Sequence, residues 1–355
     1  MVVYKLPSVG KELKLDRHCP HCNCPNGNIH CSLRQRRISD PKAHQVAQRR
    51  MRCPRCGTTW TVQAKGVGHG RHRSERLRAL GVILYMLGPS YEGAAGFLRL
   101  LGWRASSSGI ERDVEELGHK ARRLHECSLR LGVRILGVDG TGAAVAGRNR
   151  GMLFFVDIEG QRLLLAVAVQ ETDARKVRRL VRKVMRLVGA EELRTDEHRV
   201  YQGIMPEGQH RLCLTHWRKS KGKRAYDLYH QAVGENRPLE ADSMLQLLEI
   251  LRMDPRPPTV PEELERLVRR YITAHRGLPG KINQLLQHME RTWSKVSCDP
   301  FDATNNVTER IIGQTFKIRA KTMRGFKSLS KVVDHPYLSS FLRGEGGTCD
   351  LRKVI

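Results

Sequence analysis

The sequence predicts an α/β protein whose sheet-bearing core lies late in the chain, behind two small basic modules. Three observations carry that reading. Two Cys-x-x-Cys pairs, Cys19-Pro-His-Cys22 and Cys53-Pro-Arg-Cys56, fall within the first 56 residues. Apolar periodicity switches from helical to strand-like at residue 134 and returns to helical beyond residue 214. The formal charge is +27 over 355 residues. Such an excess calls for a polyanionic partner, and nucleic acid is the commonest one. A membrane surface is the competing partner. No uninterrupted apolar run reaches the roughly 18 residues needed to span a bilayer, and residues 1–15 lack the apolar centre of a secretion signal. The expectation is a cytoplasmic chain with no membrane partner.

Six of the ten cysteines precede residue 57. In a reducing compartment, close Cys pairs read as metal ligands rather than disulfides. Cys19, Cys22, Cys53 and Cys56 can close a tetrahedral Zn²⁺ site, and Gly57 suits the turn such a knuckle needs. Cys24, Cys31, His18, His21 and His30 are alternative ligands. Residues 1–64 are therefore read as a zinc ribbon with arginines on its surface.

Residues 65–128 form the second module. A basic linker carries Arg71, Arg73 and Arg76, which are expected to follow a DNA backbone. Helical stripes cover 74–87, 90–102 and a third stretch, with an N-cap at Ser90 for the second and Ser106–Ser108 able to cap the third. Short helices joined by tight turns among arginines predict a helix-turn-helix, although a plain three-helix bundle gives the same pattern.

The core opens with Arg134-Ile-Leu-Gly-Val-Asp139-Gly-Thr-Gly, an apolar strand closed by glycines that delivers Asp139 at its tip. Strands at 152–158 and 163–169 flank a Glu159-Gly160 turn, giving a three-stranded meander. A basic amphipathic helix follows at 173–188, then a strand at 191–196 ending in Asp196, a short helix at 200–204 and a strand at 210–214. Residues 219–298 are read as an all-helical insertion with helices at 226–233, 240–251, 262–275 and 281–293, broken by a Pro-rich connector at 254–261. A last helix at 306–319 sets Glu309, Ile312 and Phe316 on one face. The tail, 331–355, carries no legible pattern. Three strands, helix, strand, helix, strand is the order of a ribonuclease H-like core, here 129–218 with 299–330. That core sets one carboxylate on its first strand and another at the end of its fourth.

Each acid also has a plain reading. Asp139 can end a strand, Asp196 can cap the next helix, and Glu309 can return a capping box to Asn306. Together they suit two Mg²⁺ (or Mn²⁺) ions, which want oxygen ligands and assist in-line phosphodiester chemistry.

Four stretches give the chain a resemblance to the DDE transposases of bacterial insertion sequences, the Mutator-like group in particular. They are Leu136-Gly-Val-Asp139-Gly, Arg194-Thr-Asp196, Cys213-Leu-Thr-His216-Trp-Arg-Lys, and Thr304-Asn-Asn-Val-Thr-Glu309-Arg310 with Lys317-Ile-Arg319 and Arg324-Gly-Phe. The similarity covers roughly 130–330. It implies that Asp139, Asp196 and Glu309 hold the catalytic metals and that Cys213 and His216 line or brace the site. It also implies a prokaryotic enzyme that cuts double-stranded DNA at element ends and joins the freed 3′-hydroxyl to target DNA, working as a homodimer or larger assembly. On that reading Arg310, Lys317, Arg319, Lys321 and Arg324 hold phosphates, and Trp217 or Trp293 is a candidate to stack on a base. The alternatives are a non-catalytic DNA-binding regulator derived from such an enzyme and a structure-selective nuclease of the same fold.

Overall fold

The computed structural model describes residues 2–10, 12–129, 131–206, 208–252, 260–275, 280–296, 307–323, 325–344 and 347–355. Asn306, Arg324 and most of the Pro-rich connector lie outside them. The chain is a mixed α/β protein in two compact units, 1–127 with 321–323 and 334–355, and 128–320 with 324–333. Among the described residues no helix is long and apolar enough to cross a membrane.

In the N-terminal unit, β1 (Val3–Lys5) is followed by β2 (Asn28–Ile29), β3 (Arg34–Arg37), β4 (Gln45–Arg52) and β5 (Thr59–Gln63). The long strand β4 pairs antiparallel with β2, β3 and β5, and its hairpin to β5 carries the second cysteine pair. Three helices follow, α1 (Glu75–Met86), α2 (Tyr91–Leu100) and α3 (Ser107–Cys127). Ser90 caps α2 as read from the sequence, Ser106 is the capping residue within 106–108, and Ser74 caps α1: their hydroxyls accept from the amides of Gly93 (2.9 Å), Gly109 (3.2 Å) and Leu77 (3.0 Å).

The tail supplies what no local pattern could announce. Leu338, Leu342, Leu351 and Val354 pack with Ala79, Val82 and Leu117, and a terminal strand, Thr348–Asp350, pairs parallel with β1. Residues from the two ends of the sequence thus share one core.

The linker arginines do not face outward as a backbone track. Asp113 of α3 is fully buried and takes Arg71 (3.3 Å), Arg73 (2.7 Å) and Arg78 (2.8 Å), while Glu116 takes Arg71 and Arg78 at 2.6 and 2.7 Å. Arg76 bonds the Pro7 carbonyl and buried Asp40. A carboxylate without solvent needs cations around it, and Arg71, Arg73 and Arg78 fill that need for Asp113 inside the unit. Asp113→Ala leaves three guanidinium groups facing one another. It is expected to destabilise this unit by about 3–5 kcal/mol. The unfolding midpoint measures this, and an unchanged midpoint refutes it.

The second unit holds β6 (Ile135–Val145), β7 (Arg148–Asp157), β8 (Arg162–Ala168), α4 (Ala174–Val188), β9 (Glu192–Thr195) and β10 (His210–Leu212). Their order across the sheet is β10-β9-β6-β7-β8, with β6, β7 and β8 antiparallel and β6, β9 and β10 parallel. The meander is as read from sequence, but β6 does not stop at Asp139. It runs six residues further, paired with β7 to Val145, and turns at Ala146-Gly147 with φ of 47° and 75°. Gly-Thr-Gly-Ala-Ala looks like a strand terminator alone; the ladder to β7 overrides that weak local preference.

One face of the sheet is covered by α4, whose Val177, Val181, Val184 and Val188 pack on Leu136, Val138, Leu153 and Phe155. The helical insertion comprises α5 (Leu214–Gly234), α6 (Pro238–Arg252), α7 (Val260–Ala274) and α8 (Gly280–Trp293), packed around Trp217, Leu247, Leu285 and Trp293. Helix α5 starts directly after Cys213, well before the predicted 226, because its first turns are too rich in cations to show an apolar stripe. Glu197, just past β9, ties the insertion to the sheet: it accepts from Lys221 Nζ of α5 (2.6 and 2.7 Å) and lies 2.8 Å from His288 Nε2 of α8.

Helix α9 (Val307–Ile312) continues through a π-turn at Gly313–Lys317 to Thr322, and a further helix, α10 (Leu329–Arg343), follows it. Phe316 packs against Phe154 on the sheet face away from α4, with ring centroids 5.3 Å apart. Gly137 permits this approach, since a Cβ there would lie 2.2 Å from Thr308 Oγ1.

Candidate functional site

Asp139 is the fifth residue of β6 and sits opposite Phe154 of β7. Directly opposed residues project from the same sheet face, so Asp139 points to the side on which Phe316 and α9 pack. Its carboxyl is buried and pushed up to about 6. Burial is the main cause, Asp196 and Glu171 add to it, and His216 and Lys317 oppose it. Strand β9 runs parallel to β6 with Arg194 beside Gly137, so Asp196, two residues on, emerges level with Asp139. Asp196 Oδ1 accepts from the His198 amide at 3.0 Å, and His198, not Asp196, caps the short turn Arg199–Tyr201.

Glu309 arrives from α9 and pairs with the insertion helix. Its Oε1 lies 3.1 Å from His216 Nε2 and its Oε2 3.5 Å from Lys219 Nζ. His216 occupies the first turn of α5, where a hydrogen bond with the buried Cys213 thiol and the contact with Glu309 push it up to about 10. Glu309 is in turn held down to about 2, chiefly by His216. Both partners therefore carry charge through the neutral range. Cys213, His216 and Glu309 form one chain of side-chain contacts.

A fourth carboxylate joins these. Glu171, in the loop between β8 and α4, accepts from the Tyr201 hydroxyl at 2.6 Å. A Cβ on Gly140 would meet Glu171 Oε2 at 2.5 Å, so the glycine after Asp139 leaves the space that Glu171 fills. Sequence reasoning missed Glu171 because Gln170-Glu-Thr-Asp173 has no periodicity and reads as a solvated loop. Tyr201 is wholly buried. Tyr201→Phe leaves Glu171 without its donor and is expected to cost about 1.5–3 kcal/mol, the range for a hydrogen bond to a charged group. An unaltered thermal midpoint would remove Tyr201 as the group that holds Glu171.

A cleft of about 690 Å³ opens on Asp196 and His216 and is rimmed by Arg199, Lys219, Lys223 and Arg224. The donor set suits hard cations. Among the described residues only Cys19, Cys22, Cys53 and Cys56 bring three or more ligand atoms within 4.8 Å of one another, so the acids are more widely spaced. Two ions about 3.5–4 Å apart take ligands spread over roughly 8 Å. The raised Asp139 carboxyl reflects above all its burial, and a buried carboxylate gains from a bound cation.

The other predicted residues divide. Lys317 lies close enough to Asp139 and Glu309 to lower both. Arg310 is half-buried and bonds Gln161 Oε1 at 2.6 Å. Arg319 is buried, so its guanidinium is not a surface phosphate contact. Lys321 is exposed and belongs to the N-terminal unit, and Arg324 lies outside the described residues. Trp217 and Trp293 pack edge to face at 4.9 Å inside the insertion core, with Trp217 Nε1 donating to Thr292 Oγ1. Filling that core excludes both from stacking on a base.

In the N-terminal unit, Cys19 Sγ lies 3.6 Å from Cys56 Sγ and Cys22 Sγ 3.5 Å from Cys53 Sγ. The four sulfurs could hold a metal ion such as zinc. Each knuckle turns on a residue of positive φ placed directly after its second cysteine, Asn23 at 56° and Gly57 at 72°. Gly57 is legible in the sequence, while Asn23 performs the same turn unannounced. Cys24 and Cys31, candidates from the sequence, stand outside this cluster.

Compared with known proteins, the chain matches no family model and no curated sequence.

Proposed function

We propose that this protein is a DNA transposase of the DDE class, with Asp139, Asp196 and Glu309 as its metal-holding acids. The observation that carries the reading is one arrangement. A buried aspartate in the middle of the central strand has a second aspartate level with it just past the neighbouring parallel strand, and a distant helix brings a glutamate onto His216, which lines the cleft that opens on the second aspartate. The sheet order, three antiparallel strands followed by two parallel ones on the far edge of the first, supports a ribonuclease H-like core.

Asp139, Asp196 and Glu309 would hold two Mg²⁺ or Mn²⁺ ions, which when bound lower the pKa of an attacking water and neutralise charge on the leaving oxygen. The chain's own groups orient the substrate. Lys219, Lys223 and Arg224 receive phosphates along the cleft, and Lys317 places a cation beside Asp139. His216 carries a proton at Nε2 toward Glu309 and fixes that carboxylate's direction. Water attack on phosphorus breaks one P–O bond at the element end and frees a 3′-hydroxyl. That hydroxyl then attacks a target phosphodiester and displaces its 3′ oxygen. The four cysteines would hold a structural Zn²⁺ that shapes the ribbon, and two DNA ends call for a homodimer or larger assembly.

The test is incubation with DNA that flanks the chain's own coding region, with Mg²⁺, Mn²⁺ or chelator. Metal-dependent nicks with 3′-hydroxyl ends, followed by joined products, are expected. Retention of DNA with no cutting in either metal would favour a regulator instead, and cutting of branched DNA irrespective of ends would favour a structure-selective nuclease.

A further inference from the structure

Helix α4 has two faces of opposite chemistry. Its valines are buried against the sheet, and its outer face carries Arg175, Arg178, Arg179, Arg182 and Arg186. These five arginines, with Ala174, line a groove of about 560 Å³ that contains no carboxylate. Two of them are fixed by a neighbouring segment without being neutralised, and Arg186 donates to the Arg182 carbonyl of its own helix at 3.3 Å. Arg178 donates to the Val200 and Arg199 carbonyls at 3.0 and 3.4 Å, and Arg182 to the Ile204 and Gly203 carbonyls at 3.5 and 3.2 Å. A neutral acceptor orients a guanidinium and leaves its charge intact. The nearest acid, Asp173, caps the helix and pairs with Lys176 at 2.9 Å, with Arg175 also close enough to act on it.

We propose that this groove is a phosphodiester track, a surface that receives the sugar–phosphate backbone of the duplex next to the cleaved position. The inference rests on the DNA reading above and extends it to a face outside the cleft. Five like charges along one helix repel one another unless an anion of matching spacing lies over them. From Arg175 to Arg186 the helix covers about 16 Å, roughly half a turn of duplex at about 34 Å per turn. Planar guanidinium groups suit phosphate oxygens. An acidic protein segment would want an apolar anchor, and the groove offers only Ala174. One end of the groove lies near Glu171: α4 begins three residues after it, and Arg178 grips the carbonyls beside Tyr201, which bonds Glu171.

The experiment is the salt dependence of binding to a short duplex of unrelated sequence, for the whole chain. The triple variant Arg175→Gln, Arg179→Gln, Arg186→Gln spares the two tethered arginines. Its control, Arg266→Gln, Arg270→Gln, Lys281→Gln, removes the same charge from the helical insertion. At about 0.9 per phosphate contact, the groove variant is expected to flatten the slope of log affinity against log salt by about 2 to 3 and to lose roughly a hundredfold in affinity near 0.1 M salt. The control should keep the wild-type slope, and the matching Arg→Lys triple should restore most of it. Equal changes in the two Gln triples, or none in either, overturn the track while leaving the DNA reading intact. So does a groove variant that loses only a poly-glutamate ligand. A wild-type chain that binds no duplex at any salt overturns both.

Discussion

Asp139→Asn is expected to abolish metal-dependent strand cleavage, with a loss of at least about a thousandfold, while DNA retention stays at the wild-type level or rises. The size follows from what the substitution removes. A thousandfold corresponds to about 4 kcal/mol of transition-state stabilisation, within the several kcal/mol that a correctly held divalent ion supplies. Asn matches Asp in shape and takes away only the charge, and burial already disfavours that charge, so the fold should tolerate it. Removing a negative charge beside Lys317 and His216 would, if anything, strengthen a phosphate contact. Cleavage and retention must therefore separate. A variant that still cuts DNA in Mg²⁺ at even a tenth of the wild-type rate would exclude Asp139 as an essential ligand and, with it, the proposed mechanism.

Removal of the ion from the cysteine cluster, by chelation or by Cys53→Ser, is expected to unfold the ribbon. Sulfur separations of 3.5 and 3.6 Å are close to the spacing of about 3.8 Å that a tetrahedron with Zn–S bonds of about 2.3 Å requires. Hydrogen bonds with Thr58, through its hydroxyl and its backbone, pull the Cys56 thiol down to about 5, which favours the thiolate a metal needs. Structural zinc contributes about 10–16 kcal/mol in small ribbons and fingers, more than the small apolar cluster of Ile38, Val46, Ala64 and Val67 can replace. Two readouts check this: one equivalent of zinc released per chain on thiol modification, and loss of the first unfolding transition alone. The second unit has its own cores around Val181 and Trp217 and should keep its transition. A chain that keeps both transitions in strong chelator would show that the cluster is not what folds the ribbon.

The parts legible in the sequence are those fixed by local periodicity or spacing. The cysteine pairs, the serine caps, the meander and the valine stripe of α4 all follow from residues a few positions apart. The acids were legible as candidates because each terminates or interrupts an apolar pattern. What escaped has partners far away in the chain. Arg71, Arg73 and Arg76 look like any basic linker until Asp113, Glu116 and Asp40 are seen beside them. Trp217 and Trp293 become core only when α5 meets α8. Glu171 gains meaning from a hydroxyl thirty residues on and from the missing side chain at Gly140. The extension of β6 past Asp139 depends on β7, and no propensity of Gly-Thr-Gly-Ala-Ala announces it.

The pairing of β1 with Thr348–Asp350 sets an order of events during synthesis. Domains ordinarily finish in the order they leave the ribosome, at about 5–20 residues per second. Here β1 waits for a strand made more than three hundred residues later, so a growing chain can complete its sheet core before the sheet edge at β1 is paired.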